Sequence, residues 1–490
     1  MRVVCRLVVS IALTLTLFSS APGGAAPSSA SGLRLVVGAA SVTLDRIQVA
    51  PGVVIPPRLD LSTFIRADGL SFQVRAVRSS YDKPVTATQV INQGGRTVQR
   101  PLPSGLVQDL SGLTNFFHIT LTNAAGVIAL DRDQTFCPNS AAVAARPDAV
   151  QNSSFPTACA TNPFALGALW GINTGWAAPV NSSETFRPDI PNGEYTATIS
   201  VNEPYRGFLD MPAEVKVVHV TVRTISQGPV TPAGPASHPA GVPSADPPHH
   251  APSAARAPST AKASHQRPDL RPLPPKGLAI DSRNGRDHVI FSATVWNAGP
   301  APMIVRGYRR PGQDVMDAYQ YAVDGSGRPS GFEQVGTMEW DARRGHEHWH
   351  FTDFARYSLL GADQQEIVRS QKEAFCLANT DAVDTLVDNA SLDPGNRDLH
   401  SSCGNVSSLA VSQALAVGWG DTYAQTLPGQ SFDVTDLPNG EYFVEIIANP
   451  NGNLVETTGS NNRVIRKIVL GGTAGARTIT VPPYGSVIES

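Results

Sequence analysis

Three histidines alternate in Gly345-His346-Glu347-His348-Trp349-His350-Phe351. In an extended strand, alternate side chains leave the same face. His346, His348 and His350 would then point one way, with Glu347 and Trp349 on the other. Successive imidazoles would start roughly 6.6 Å apart, and a slight bend brings them onto one ion. Neutral imidazole suits copper, zinc, iron or nickel. Three of the chain's eleven histidines fall in this one stretch, which favours a metal centre over a merely polar strand face. Further on, Lys372 lies in Ser370-Gln371-Lys372-Glu373-Ala374-Phe375-Cys376-Leu377, and Asp421 and Tyr423 lie in Gly420-Asp421-Thr422-Tyr423. Asp421 and Tyr423 are two residues apart, so along a strand they share a face. Asp421 is then a candidate general base or, equally, a turn-stabilising carboxylate. His400 is a second candidate base.

The elements that must position these groups are strands. Ser71-Phe72-Gln73-Val74-Arg75-Ala76-Val77 alternates, as does part of Lys216–Val222, and Gly, Pro and Asn clusters punctuate the segments. No long stretch has the 3.6-residue helical period. Residues His288–Trp296, Glu441–Ala448 and Arg463–Leu470 also read as strands. The expected fold is all-β: two tandem β-sandwich-like domains with long loops, at 27–225 and 267–475, with a tail at 476–490. Between them, 226–266 is dense in Pro, Ala and Ser and reads as a disordered linker that would set the reach between the domains. Its histidines read as solvated.

Charge and compartment narrow the function. The formal charge is −3 over 490 residues, with no run of Lys or Arg, so nucleic-acid binding has no electrostatic footprint. Arg2 and Arg6 precede the apolar run Val8–Phe18, and small residues follow at Gly23-Gly24-Ala25-Ala26. Residues 1–26 therefore read as a secretory signal, and no later run is long enough to predict stable membrane insertion. Export makes Cys137, Cys159, Cys376 and Cys403 candidates for two disulfides. Of the three possible pairings, Cys137–Cys159 with Cys376–Cys403 closes one loop in each half.

A repeat links the halves. Pro191-Asn192-Gly193-Glu194-Tyr195 recurs as Pro438-Asn439-Gly440-Glu441-Tyr442, and Phe136-Cys137 recurs as Phe375-Cys376.

From about Arg267 to Leu470 the chain resembles the catalytic domain of the lysyl oxidase family. The His-x-His-x-His motif is followed by Tyr357-Ser358-Leu359-Leu360, then Lys372…Phe375-Cys376-Leu377 and Asp421-Thr422-Tyr423. Pro438, Gly440 and Tyr442, Asn449-Pro450, Glu456 and Asn461-Asn462 complete the order. The resemblance implies copper on His346, His348 and His350, and a self-made lysine tyrosylquinone from Lys372 and Tyr423. It implies oxidation of a primary amine, protein lysine or smaller, to an aldehyde, with O2 consumed and H2O2 and ammonia released. It also implies a calcium site drawing on Asp269, Leu270, Glu456, Asn461 and Asn462, although Thr458 stands where an acidic residue is usual. Two other functions fit part of the pattern: a non-enzymatic extracellular metal-binding or adhesive module, and a zinc hydrolase on the three histidines. Both leave Lys372 and Tyr423 without a role.

The first half reads as a copy without chemistry. The offset of the repeated motif (440 − 193 = 247) sets Trp176 against Tyr423. Counting back from the cysteines sets Asp133 against Lys372, and His118 stands as the one remnant of the triad. The expected role of this half is binding.

Overall fold

The computed structural model describes residues 32–180, 186–226, 266–310, 312–324, 329–343, 347–370, 374–394, 403–483 and, as backbone, 487–489. The expected signal segment, nearly all of the linker, and His346, Lys372 and His400 lie outside these residues. The described chain is all-β, with one short helix at Glu203–Leu209.

Each half carries three sheets. In the first half, Leu33–Val37, Thr63–Ala67, Trp176–Pro179 and Val143–Ala144 form one sheet, in that order. Gly167–Ile172, Phe72–Val77, Thr86–Gln93 and Arg96–Pro101 form another. Val215–Ser226, Gly193–Val201, Leu113–Asn123 and Ile128–Phe136 lie side by side in the third. The second half fills the same places in the same order. Its first sheet is Leu270–Arg283, Arg286–Asn297, Trp419–Tyr423 and Asp381–Ala382. Its second is Ala410–Leu415, Met303–Arg309, Val315–Val323 and Pro329–Asp341. Its third is Arg463–Thr473, Gly440–Ala448, Ala355–Leu360 and Glu366–Arg369. The edges differ. His348–Phe351 is added outside Pro329–Asp341, Ser431–Asp433 pairs with Arg286–Asn297, and Val487–Glu489 and Ala476–Thr480 pair antiparallel with Arg463–Thr473, where the first half has Ser41–Ala50 parallel to Val215–Ser226. Residues 476–480, expected as tail, are thus an edge strand.

Alternation explains the strands. In Gly193–Val201 every second residue from Tyr195 is buried, whereas Gly440–Ala448 is buried on both faces from Tyr442 to Glu445 and beyond. Both begin on a glycine with positive φ (153° and 154°), and each following tyrosine reaches back to a proline carbonyl: Tyr195 to Pro191 at 2.9 Å, Tyr442 to Pro438 at 2.7 Å. The disulfides are Cys137–Cys159 and Cys376–Cys403, as expected.

Strand register corrects the one-offset comparison of the halves. Ala197 pairs with Leu121, and Val444 pairs with Leu359, so this strand corresponds at 359 − 121 = 238 rather than 247. The Leu113–Phe136 and Phe351–Phe375 pairings give the same 351 − 113 = 238. The left-handed Asn115 and Asp353 (φ 51° and 57°) agree as well. His118 therefore stands opposite Arg356. The triad positions 346, 348 and 350 fall on Gln108, Leu110 and Gly112. No imidazole remains there, and a Cβ on Gly112 would lie 2.2 Å from the Phe136 carbonyl oxygen. Near the end of each half the offset is 243. The Gly175 N–H bonds the Ala67 carbonyl just as the Gly418 N–H bonds that of Asn297, and the Trp176 and Trp419 indoles both donate to loop carbonyls. Trp176 thus matches Trp419. The residues opposite Asp421 and Tyr423 are Ala178 and Val180.

The halves are docked together. Phe164 of the first half is 0% exposed and packs with Leu273, Trp296 and Val383 of the second. The Arg466 guanidinium lies 5.0 Å from the Phe164 ring centroid. Gly167 bridges Asp384 in parallel, and a Cβ on Gly167 would collide with the Asp384 carboxylate at 2.2 Å. Burying a phenylalanine contributes about 1.5–3 kcal/mol. The first half therefore rests against the second, not at the end of a tether.

Candidate active site

His348 and His350 share one face of the edge strand His348–Phe351, with ring centroids 4.6 Å apart. Trp349, on the other face, is fully buried; its N–H bonds the Cys403 carbonyl at 2.8 Å and its indole bonds that of Asn405 at 2.9 Å. The histidine strand is therefore fixed from behind by the loop that ends in the Cys376–Cys403 disulfide. In the adjoining strand Asp341 pairs with His348 in register, and its carboxylate lies 3.3 Å from His350 Nδ1. Burial pushes the Asp341 carboxyl up, but hydrogen bonds from His350 and Arg343 outweigh it and hold it well below the usual carboxylate range. A carboxylate on Nδ1 fixes the tautomer that presents Nε2 to a metal. Asp341 was not singled out in the sequence. Its signal is position: it is the hairpin partner seven residues before His348.

Tyr423 and Asp421 alternate along Trp419–Tyr423 and are both 1% exposed. The Tyr423 hydroxyl accepts the Cys376 N–H at 2.9 Å, and the Phe375 ring stands edge-on to Tyr423 at 4.5 Å. Cys376 is four residues after Lys372 in the chain. Burial first, then the charge of Asp421, pushes the phenol well above its ordinary pKa; the Asp341 carboxylate acts in the same sense. Burial and Asp421 act likewise on Tyr357, also fully buried. The two imidazoles are donors of a kind that suits copper, but among the described residues no group of three His, Cys, Asp or Glu side chains is placed to hold an ion.

The second expected cluster also assembles. The Leu270 N–H donates to Glu456 at 2.8 Å, Asn462 donates to Glu456 at 2.7 Å, and Asn461 donates to both Asp269 oxygens at 3.1 Å. Asn449 donates to Glu456 at 2.6 Å and Arg271 to Asp269 at 2.9 Å. The Oδ1 atoms of Asn461 and Asn462 are buried with no hydrogen-bond partner. A buried and a half-buried carboxylate beside orphaned amide oxygens fit a hard cation. Burial, together with the charge of Asp269, pushes the Glu456 carboxyl up, although hydrogen bonds from Asn449 and Asn462 oppose this.

Among the described residues the second half thus holds two imidazoles with Asp341 behind them, and a buried phenol on the same strand face as Asp421. Residues 315–478 match the family model for lysyl oxidase, so the second half carries a lysyl-oxidase-family domain. The chain is similar to protein-lysine 6-oxidase of Rattus norvegicus, 32% identical over 148 residues, covering 30% of this chain and 32% of that protein. It is similar to lysyl oxidase homolog 4 of Mus musculus and lysyl oxidase homolog 2 of Homo sapiens, each 26% identical, covering 32% of this chain and 18% of those proteins. The chain thus spans less than a fifth of the length of these two homologues.

Proposed function

We propose that the second half is a copper-dependent amine oxidase, with copper on His346, His348 and His350 and a lysine tyrosylquinone made from Lys372 and Tyr423. One observation carries the reading: the Tyr423 hydroxyl is held by the Cys376 N–H, and Cys376 is four residues after Lys372 in the chain. When bound, the metal and quinone would supply the electron sink that lets O2 oxidise a primary amine, peptidyl lysine or smaller, to an aldehyde with H2O2 and ammonia released.

The chain's own residues do the rest. Asp341 orients His350. Cys376 and Phe375 hold the phenol ring at fixed depth. Asp421, on the same strand face as Tyr423, is the proposed base that takes the substrate α-proton. Burial keeps water from the ring. The oxygen cluster of Asp269, Leu270, Glu456, Asn461 and Asn462 is proposed to take calcium as a structural ion. The N-terminal apolar run and the two disulfides support a secreted protein. Among the described residues no helix is long and apolar enough to cross a membrane.

The test is aerobic copper loading of the full chain, followed by quinone absorbance and peptide mapping. A covalent Lys372–Tyr423 peptide is expected. Recovery of both as separate unmodified peptides from turning-over protein would end the reading.

A further inference from the structure

The first half has Ala178 and Val180 where the second has Asp421 and Tyr423, yet two of its side chains reach the strands on either side of Trp419–Tyr423. Thr161 Oγ1 donates to Asp381 Oδ1 at 2.6 Å, and Asn162 Nδ2 donates to Thr294 Oγ1 at 3.0 Å. Each acceptor flanks Trp419–Tyr423. Asp381 pairs with Gly420, and its other oxygen accepts from Thr380 Oγ1 at 3.0 Å. Thr380 Oγ1 in turn accepts the Thr422 N–H at 2.7 Å. On the opposite side, Thr294 pairs with Thr422, and their hydroxyls meet at 2.6 Å.

Proton counting fixes the direction of the first bond in the second chain. Asn162 Oδ1 accepts the Phe164 N–H at 2.9 Å, which can only donate, so the amide nitrogen faces Thr294. The Thr294 hydroxyl, accepting from Asn162, shares its bond with the Thr422 hydroxyl, and either can donate. Thr422 lies between Asp421 and Tyr423 and so projects to the opposite face. The first half grips the back of the strand whose front carries the proposed base and phenol. Phe164, buried against Leu273, Trp296 and Val383, and the Gly167–Asp384 bridge, extended by the Leu169 N–H to Thr385 Oγ1 at 2.8 Å, hold the grip in place.

We propose that the first half is a positioning subunit fused in cis, and that Thr161 and Asn162 are positioning residues for the Asp421–Tyr423 strand. The consequence for turnover rests on the amine oxidase reading; the consequence for the strand does not. The experiment therefore has two readouts on the full chain, comparing wild type with the double variant Thr161→Val, Asn162→Ala. In the metal-free protein, amide hydrogen exchange in 419–423 should speed up about tenfold, the scale of one lost buried hydrogen bond. Exchange in Gly193–Val201 and Gly440–Ala448 should be unchanged. Thr97→Val, which removes an exposed hydrogen bond to Asn92, is the control and should leave 419–423 untouched. On aerobic copper addition, the first-order rate of quinone appearance should fall about tenfold in the double variant with unchanged final yield. If the double variant does not fold, Asn162→Asp serves instead: it keeps the bond from Phe164 but removes the donor to Thr294, and it should speed exchange in 419–423 while sparing both reference strands. Unchanged exchange in 419–423, or equal acceleration throughout, would overturn the proposal. Wild type that shows the exchange pattern but forms no quinone would overturn the amine oxidase reading and leave the positioning role standing.

Discussion

The two halves share a strand order and differ in what the strands carry. Where the second half has Asp421 and Tyr423, the first has Ala178 and Val180. Where the second has the histidine strand, the first has Gln108, Leu110 and a glycine with no room for a side chain. Where Asp269 enters the oxygen cluster, the first half has Gly32: its carbonyl accepts the Asp68 N–H as that of Asp269 accepts the Ala298 N–H. Shared positions are those that fold the chain: Gln89 and Gln320, Gly175 and Gly418, Trp176 and Trp419, Tyr195 and Tyr442. The comparison teaches that the sheet framework persists without the site. The first half's matched positions Leu110, Ala178 and Val180 are part of its own core, and it docks elsewhere, through Phe164 and its neighbours.

The largest expected contrast is between histidines. His348→Ala should lose stoichiometric copper and quinone formation together. His118→Ala should leave one copper per chain, because His118 sits in an exposed pair with Asp131 and Asp133 at 3.5 and 3.0 Å, worth about 1 kcal/mol or less. Metal analysis of the two variants checks this; copper lost from the His118 variant would mean that the register assigned to the first half is wrong.

Disulfide removal gives the next contrast. Closing loops of 22 and 27 residues should stabilise each half similarly, by roughly 3 kcal/mol. Only Cys376→Ser should also slow quinone formation, because Cys376 holds the Tyr423 hydroxyl and Cys403 holds Trp349. Equal quinone rates in the Cys137→Ser and Cys376→Ser variants would show that the staple does not position the site.

Calcium chelation should lower the melting temperature of the second half and spare the first, which has Gly32 in place of Asp269. At one hundred times Kd, a bound ion stabilises by about 2.7 kcal/mol. Calorimetry with and without chelator measures this, and no shift would remove calcium from the oxygen cluster.

The smallest effect concerns the interface. Burial pushes the Asp384 carboxyl up, opposed by hydrogen bonds from the Leu386 and Val387 backbone. A raised folded-state pKa means that the ionised form penalises folding. The penalty is complete above the folded pKa and gone below the unfolded value of about 3.9. Asp384→Asn should therefore raise the melting temperature slightly near neutral pH, with the gain vanishing in acid. A variant less stable at neutral pH would show that the carboxylate charge is used at the interface.

The sequence by itself determined the all-β class, because alternation is written residue by residue in segments such as Tyr195–Val201. It determined the duplication, because Pro-Asn-Gly-Glu-Tyr needs a positive-φ glycine before a strand in both halves. It also pointed to His348, His350, Asp421 and Tyr423, since residues two apart share a strand face. Only the tertiary structure decided the correspondence of the halves. Their loops differ in length, so the offset is 238 through Leu113–Asn123, 243 at Trp176 and 247 through Gly193–Val201, and one number taken from one motif misplaces the rest. Only the tertiary structure joined Asp341 to His350 and Cys376 to Tyr423, because hydrogen bonds across 47 residues leave no periodic trace. The docking of the halves was hidden for the same physical reason: Thr161, Asn162 and Phe164 lie 220, 132 and more than 100 residues from their partners, and only the folded surfaces bring them into contact.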